Sequence, residues 1–114
     1  MGRDLAIKFA KLADKKKADD IVILNLRKVT FITDYFIIAT GKNKRQNQAI
    51  AMDLIEHAKA MDVAKLGLQG YEEGNWVLVD FGSVVVHLLN EQLREFYNLE
   101  SIWGEATKVN WKKK

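Results

Sequence analysis

Few side chains in this chain have the type and spacing that chemistry needs. It has two histidines and no cysteine. His57 has Glu56 and Asp53 beside it, but the spacing is not the His-Glu-x-x-His of a zinc helix, and a solvated helix position accounts for it. His87 stands among valines, where a hydrogen-bonded or interface-facing imidazole is a simpler reading than a general base. The other ligands that a metal would require are missing. Glu72 and Glu73 fall in a turn-rich loop, where solvation is the default. TGKNKRQ, Thr40 to Gln46, has the order of an anion site, a strand followed by glycine and a helix N-terminus flanked by Lys42, Lys44 and Arg45. It lacks the glycines of a phosphate cradle and reads more simply as a basic surface loop. No Gly-x-Ser-x-Gly elbow, Walker loop or dinucleotide fingerprint occurs. Nothing assembles a nucleophile, a base and an oxyanion donor, so the sequence predicts a non-enzyme with no cofactor and no metal. The competing catalytic reading uses carboxylates such as Asp34 and Asp80, and it would require metal-dependent nucleotide binding.

The elements that position these residues follow from periodicity. Leu5, Phe9 and Leu12, with Ala6 and Ala13, recur at helical spacing and predict an amphipathic helix over 4–18, with Lys15 to Lys17 favouring its C-terminal end. Ile21 to Leu26 and Tyr35 to Thr40 are short β-branched runs that read as strands, separated by a connector, Arg27 to Asp34. Asn43 is a suitable N-cap for a helix over 44–61, whose apolar stripe is Ile50, Leu54, Ile55, Ala58 and Met61. Leu66 to Gln69 reads as a short strand, and a third helix is expected over 90–98. The fold class is therefore α/β (α+β), a single domain with a mixed sheet and three modest helices. Those helices suffice to cover one face of a five-stranded sheet. Covering both is harder.

The stretch GNWVLVDFGSVVVHLL, Gly74 to Leu89, makes that shortage matter. Gly82-Ser83 suits a two-residue hairpin turn with positive φ at the glycine. Phe81 then pairs with Val84, Val79 with Val86 and Val77 with Leu88, all pointing to one apolar face that must meet the core. On the other face Asp80 lies across from Val85, Leu78 from His87 and Trp76 from Leu89. An apolar surface with two polar handles and a tryptophan is typical of a recognition patch. The alternative is cover by the N-terminal helix or the C-terminal tail.

Composition sets the outer bounds. At 114 residues, with 48% hydrophobic and 29% charged residues, the chain reads as one globular domain with a core of its own. Net charge is +3, well short of a dedicated nucleic-acid binder. Much of the excess lies in Lys108 and Lys112 to Lys114, so residues 1–106 are expected to form the domain and 107–114 a basic, frayed tail able to touch nucleic-acid phosphates. No segment approaches the ~18 apolar residues of a membrane span. The start lacks a signal-peptide core, and Asp4 and Asp14 argue against a transit peptide. After Met1-Gly2, Ala6 stands where myristoylation wants Ser or Thr. The expected address is the cytoplasm.

Five segments, TDYFIIATG, RQNQAIA, WVLVDFGSVVVH, REFY and LESIW, occur in an order and spacing that resemble the Iojap/RsfS ribosomal silencing factors over roughly residues 18–106. The resemblance implies a mixed five-stranded sheet related to nucleotidyltransferases without their catalytic carboxylates. It further implies binding to the large ribosomal subunit through its protein number fourteen, with obstruction of small-subunit joining and lowered translation. A role in large-subunit assembly is the alternative it carries, and in that ribosomal setting the basic tail is expected to make at most a peripheral ribosomal RNA contact. Trp76, Asp80 and the VVVH segment match the family's most characteristic block, and Arg45, Tyr97 and Trp103 match family positions. For Tyr97 and Trp103, anchoring a short helix to the core competes with partner contact. Ser83 stands where the family commonly has an acidic residue, and Phe81 where it has tyrosine. The partner-binding set expected is thus Arg45, Trp76, Leu78, Asp80, Ser83, Val85, His87, Tyr97 and Trp103. An apolar face also predicts a homodimer when the partner is absent.

Overall fold

The computed structural model describes residues 2–112. In chain order the elements are α1 Gly2–Lys15, β1 Asp19–Asn25, β2 Tyr35–Thr40, α2 Lys44–Ala60, β3 Gly67–Gln69, β4 Trp76–Asp80, β5 Val84–Leu89, α3 Glu91–Tyr97, α4 Leu99–Ile102 and β6 Thr107–Val109. They form one six-stranded sheet in the order β3-β4-β5-β2-β1-β6. Every pairing is antiparallel except β2 with β5, which is parallel and makes the sheet mixed.

One face of the sheet carries both long helices. Ala6, Phe9, Ala10 and Ala13 of α1 and Ile50, Ala51, Leu54 and Ala58 of α2 pack on Ile23, Ile37, Val77, Val79, Val86 and Leu88 in the main core. The small alanines let α1 lie close on the strands, and Phe9 meets the Phe81 ring at 4.6 Å. The N-cap expected for α2 is present: the Asn43 side chain accepts from the Gln46 amide at 2.8 Å. The short α3 and α4 lie on the opposite face.

Asn47 holds α2 to the loop that feeds β4. It is fully buried, and its Nδ2 donates to the Gly74 carbonyl at 2.9 Å. Gly41 accommodates it, because a Cβ there would collide with the Asn47 Oδ1. Asn47→Ala would leave the Gly74 carbonyl without this donor, and a loss of about 1–3 kcal/mol is expected in denaturant unfolding. A loss under about 0.5 kcal/mol would mean that this tie is not structural.

The tail departs from the sequence expectation. Residues 107–112 are docked rather than frayed, while Lys113 and Lys114 lie outside the described residues. Thr107–Val109 pairs with β1, matching Ile23 to Val109 and Asn25 to Thr107. That sixth strand corrects the expected count of five. The cause is apolar alternation within a lysine-rich stretch. Val109 and Trp111 turn into the main core, and the Trp111 indole N–H donates to the Ile21 carbonyl at 3.0 Å. Burying a tryptophan and pairing an otherwise open strand edge outweighs the entropy of fraying. Two smaller boundaries also shift: α1 ends at Lys15, and the apolar strand β1 begins at Asp19.

Candidate functional site

The hairpin β4–β5 builds the second sheet face. Its observed register matches Trp76 with Leu89, Leu78 with His87, and Asp80 with Val85. Gly82 has φ +89°, the positive value that the turn demands, and its amide donates to Asp80 Oδ1 at 2.8 Å. The opposite set, Val77, Val79, Phe81, Val84, Val86 and Leu88, is buried in the main core.

The second face is half covered. Leu93 of α3, Leu99 of α4 and Trp103 pack with Leu24, Leu26, Ile38 and Leu89, closing the face over β1, β2 and part of β5. Trp103 meets Phe36 edge-on at 5.9 Å, so it anchors the helical cover to the sheet. Arg94 fixes the same cover. Its guanidinium sits 3.2 Å from the Glu100 carboxylate and donates to the Thr40 Oγ1 at 2.9 Å. Beyond this cover, Trp76, Leu78 and Asp80 remain half-exposed along β4, whose outer neighbour is the three-residue edge strand β3. Tyr97 extends the open region, with its ring 5.0 Å from Trp76.

The structure places the expected site residues unequally. Trp76, Leu78, Asp80 and Tyr97 reach this surface, whereas Val85 and His87 lie beneath it, His87 only 5% exposed. Ser83 is half-exposed at the hairpin turn, where its carbonyl accepts from the amides of Asp34 and Tyr35. Arg45 is exposed in the first turn of α2, on the helix that covers the other face. Phe96, 78% exposed with its ring 4.9 Å from Tyr97, joins the patch and was not singled out in the sequence. Its only signal is its place beside Tyr97 on a short helix.

His87 acts through Trp76 rather than at the surface. The Trp76 indole N–H donates to His87 Nδ1 at 3.1 Å. Nδ1 therefore carries the lone pair and the ring proton sits on Nε2, which is buried without a hydrogen-bond partner. Phe36 packs against the imidazole at 4.5 Å. Burial lowers the His87 pKa from 6.5 to about 4, so the ring is neutral at ordinary pH and a steady acceptor for Trp76. The consequence for stability has a definite sign. As pH falls from 6.5 toward 4, the unfolded imidazole takes up a proton that the folded one refuses. Stability is full above pH 6.5 and lost across that window, by about 2 kcal/mol between pH 7 and pH 5. His87→Phe should flatten this slope in denaturant unfolding at the two pH values; equal slopes would contradict the assignment.

No three His, Asp or Glu side chains among the described residues come together in a way that would hold a metal ion. The two carboxylates of the catalytic alternative do different work: Asp80 caps the turn, and Asp34 is exposed at the entry to β2.

Residues 2–114 match the family described as "Ribosomal silencing factor during starvation". The chain belongs to the RsfS family. It is 43% identical over 96 residues to the ribosomal silencing factor RsfS of Halalkalibacterium halodurans, covering 84% of this chain and 82% of that protein. With the RsfS of Bacillus subtilis identity is 38% over 107 residues, 93% of this chain and 91% of that one. The chloroplastic protein Iojap of Zea mays is 36% identical over 104 residues, which make up 91% of this chain and 45% of the longer plant protein. A crystal structure of a Chromobacterium violaceum protein superposes with a TM-score of 0.87 at 33% identity, covering 100% of this chain and 94% of that one. The RsfS family is regulatory and not enzymatic, in agreement with the absence of a catalytic constellation from the sequence. No helix among the described residues is long and apolar enough to cross a membrane.

Proposed function

We propose that this chain is a ribosomal silencing factor that seats the open part of its second sheet face on the large ribosomal subunit, through that subunit's protein number fourteen. In that position it sterically blocks small-subunit joining and represses translation. The observation that carries the reading is the half-covered face: α3 and α4 close it over the middle of the sheet and reach β4 only at Trp76, beside Tyr97, leaving Trp76, Leu78, Phe96 and Tyr97 as an incompletely covered apolar patch. Exposed patches of this kind mark protein interfaces, and tryptophan and tyrosine are favoured anchors within them. Membership of the family and the names of its bacterial relatives support ribosome association and, with it, a cytoplasmic location. Asp80 at the patch edge supplies a carboxylate for a basic ribosomal partner. Ser83 supplies none, although the family resemblance implies an acid at that position.

Calorimetric titration into isolated ribosomal protein number fourteen tests the partner. Saturable one-to-one binding, weakened by Leu78→Asp in a variant that keeps its circular dichroism, is the expected result; no binding by wild type would remove this protein as the partner. The same patch is also the reading's basis for a two-fold dimer of the free chain. Analytical ultracentrifugation should show concentration-dependent association that ribosomal protein number fourteen competes away. A strict monomer at high concentration would contradict the dimer.

A further inference from the structure

A second feature lies on the other side of the sheet, where α1 and the docked tail enclose an open groove of about 940 Å³. Lys8, Lys11 and Lys15 follow one another at helical spacing along its α1 wall, and Lys112 faces them from the tail. The groove is built rather than incidental. Its floor includes Trp111, 8% exposed and tethered by its indole N–H to the Ile21 carbonyl, so the tail wall is fixed against β1.

None of these four ammonium groups has a carboxylate within ion-pair distance among the described residues, whereas Lys42 pairs with Asp19 and Arg94 with Glu100. Asp4 and Asp14 also line the groove, which leaves four positive groups against two negative ones. Gathering unpaired lysines around one concavity costs self-repulsion that an anionic ligand would relieve. Along the helix axis Lys8 and Lys15 are about 10 Å apart, a span that covers roughly three phosphates of one nucleic-acid strand.

We propose that this groove binds the phosphate backbone of RNA, on the side of the protein opposite Trp76. Lysines on flexible stems act as point charges that suit phosphates without reading sequence. The choice of RNA rests on the ribosomal reading above, while the groove and its charge do not.

The test is fluorescence anisotropy with a labelled short RNA hairpin, between about 50 and 200 mM salt. Wild type should bind weakly, with log affinity falling against log salt at a slope of about −3 to −4, as expected for four phosphate contacts. The triple variant Lys8→Gln, Lys11→Gln, Lys15→Gln changes only exposed side chains. It should lose about 3 from that slope and most of the affinity at low salt, and Asp14→Asn should tighten binding. Trp76→Ala should leave RNA binding unchanged, which separates a failure of this proposal from a failure of the protein-facing site. A triple variant that binds RNA like wild type, or a wild type that does not bind RNA at low salt, overturns the groove.

Discussion

Trp76→Ala should reduce co-sedimentation with purified large ribosomal subunits by at least about 30-fold in affinity, equivalent to about 2 kcal/mol or more. The size of this effect follows from how the ring is held. Trp76 is half-buried, backed by His87 through a 3.1 Å hydrogen bond and flanked by Tyr97 at 5.0 Å. Its N–H is already spent inside the protein, so the ring offers a partner apolar area that is ordered in advance. A preorganised aromatic gives up little side-chain entropy on docking, which is why such residues dominate binding energies. The variant must still fold for the result to carry weight, and the half-exposed position favours that. Trp76→Phe separates the two contributions. It keeps most of the ring area but removes the donor to His87, and it should fall between wild type and the alanine variant. A folded Trp76→Ala that binds as wild type does would move the site elsewhere.

The largest expected loss of stability lies far from that patch. Trp111→Ala should cost about 3–5 kcal/mol in denaturant unfolding, the usual range for removing a buried large aromatic. Three contributions act together: the ring leaves the main core, the Ile21 carbonyl loses its indole donor, and β6 loses the residue that holds it beside β1. Against a typical domain stability of about 5–15 kcal/mol, that is a large share. Val109→Ala removes a smaller side chain from the same strand and should cost less. If Trp111→Ala shifted unfolding by under about 1 kcal/mol, the docked tail would have no structural weight.

The hairpin was legible in the sequence because two local signals agree there. Gly82 at a forced turn position fixes the register, and the two-residue period of a strand counted from it assigns the faces. The N-cap of α2 was legible for a like reason, since Asn43 precedes a clear apolar stripe. What stayed hidden depends on contacts distant in the chain. TKVNW offers only two apolar residues among polar and basic ones, and its value as a strand exists only because β1 presents an open edge. The cover over half the second face is fixed by Arg94 reaching both Glu100 and Thr40, the last of which is 54 residues away. No spacing rule in the sequence announces that link.

The same missing information explains how the site residues divided. Alternation placed Val85 and His87 on the recognition face, correctly as a matter of pleat. It could not say that α3, α4 and Phe36 would close over that column and leave β4 open. His87 therefore changes role, from an expected contact to the residue that holds Trp76 from below. The fold class needed only periodicity, whereas the extent of the open patch needed the tertiary structure.

Docking of this face on the large subunit is proposed to obstruct subunit joining. The most direct measurement preloads purified large subunits with the chain, adds small subunits, and follows the joined fraction by sucrose-gradient sedimentation. Wild type should lower the joined fraction in proportion to its occupancy, and folded Trp76→Ala, at concentrations where it does not occupy the subunit, should leave joining at the level of untreated subunits. Joining that proceeds undiminished on large subunits fully occupied by wild type would contradict the steric mechanism.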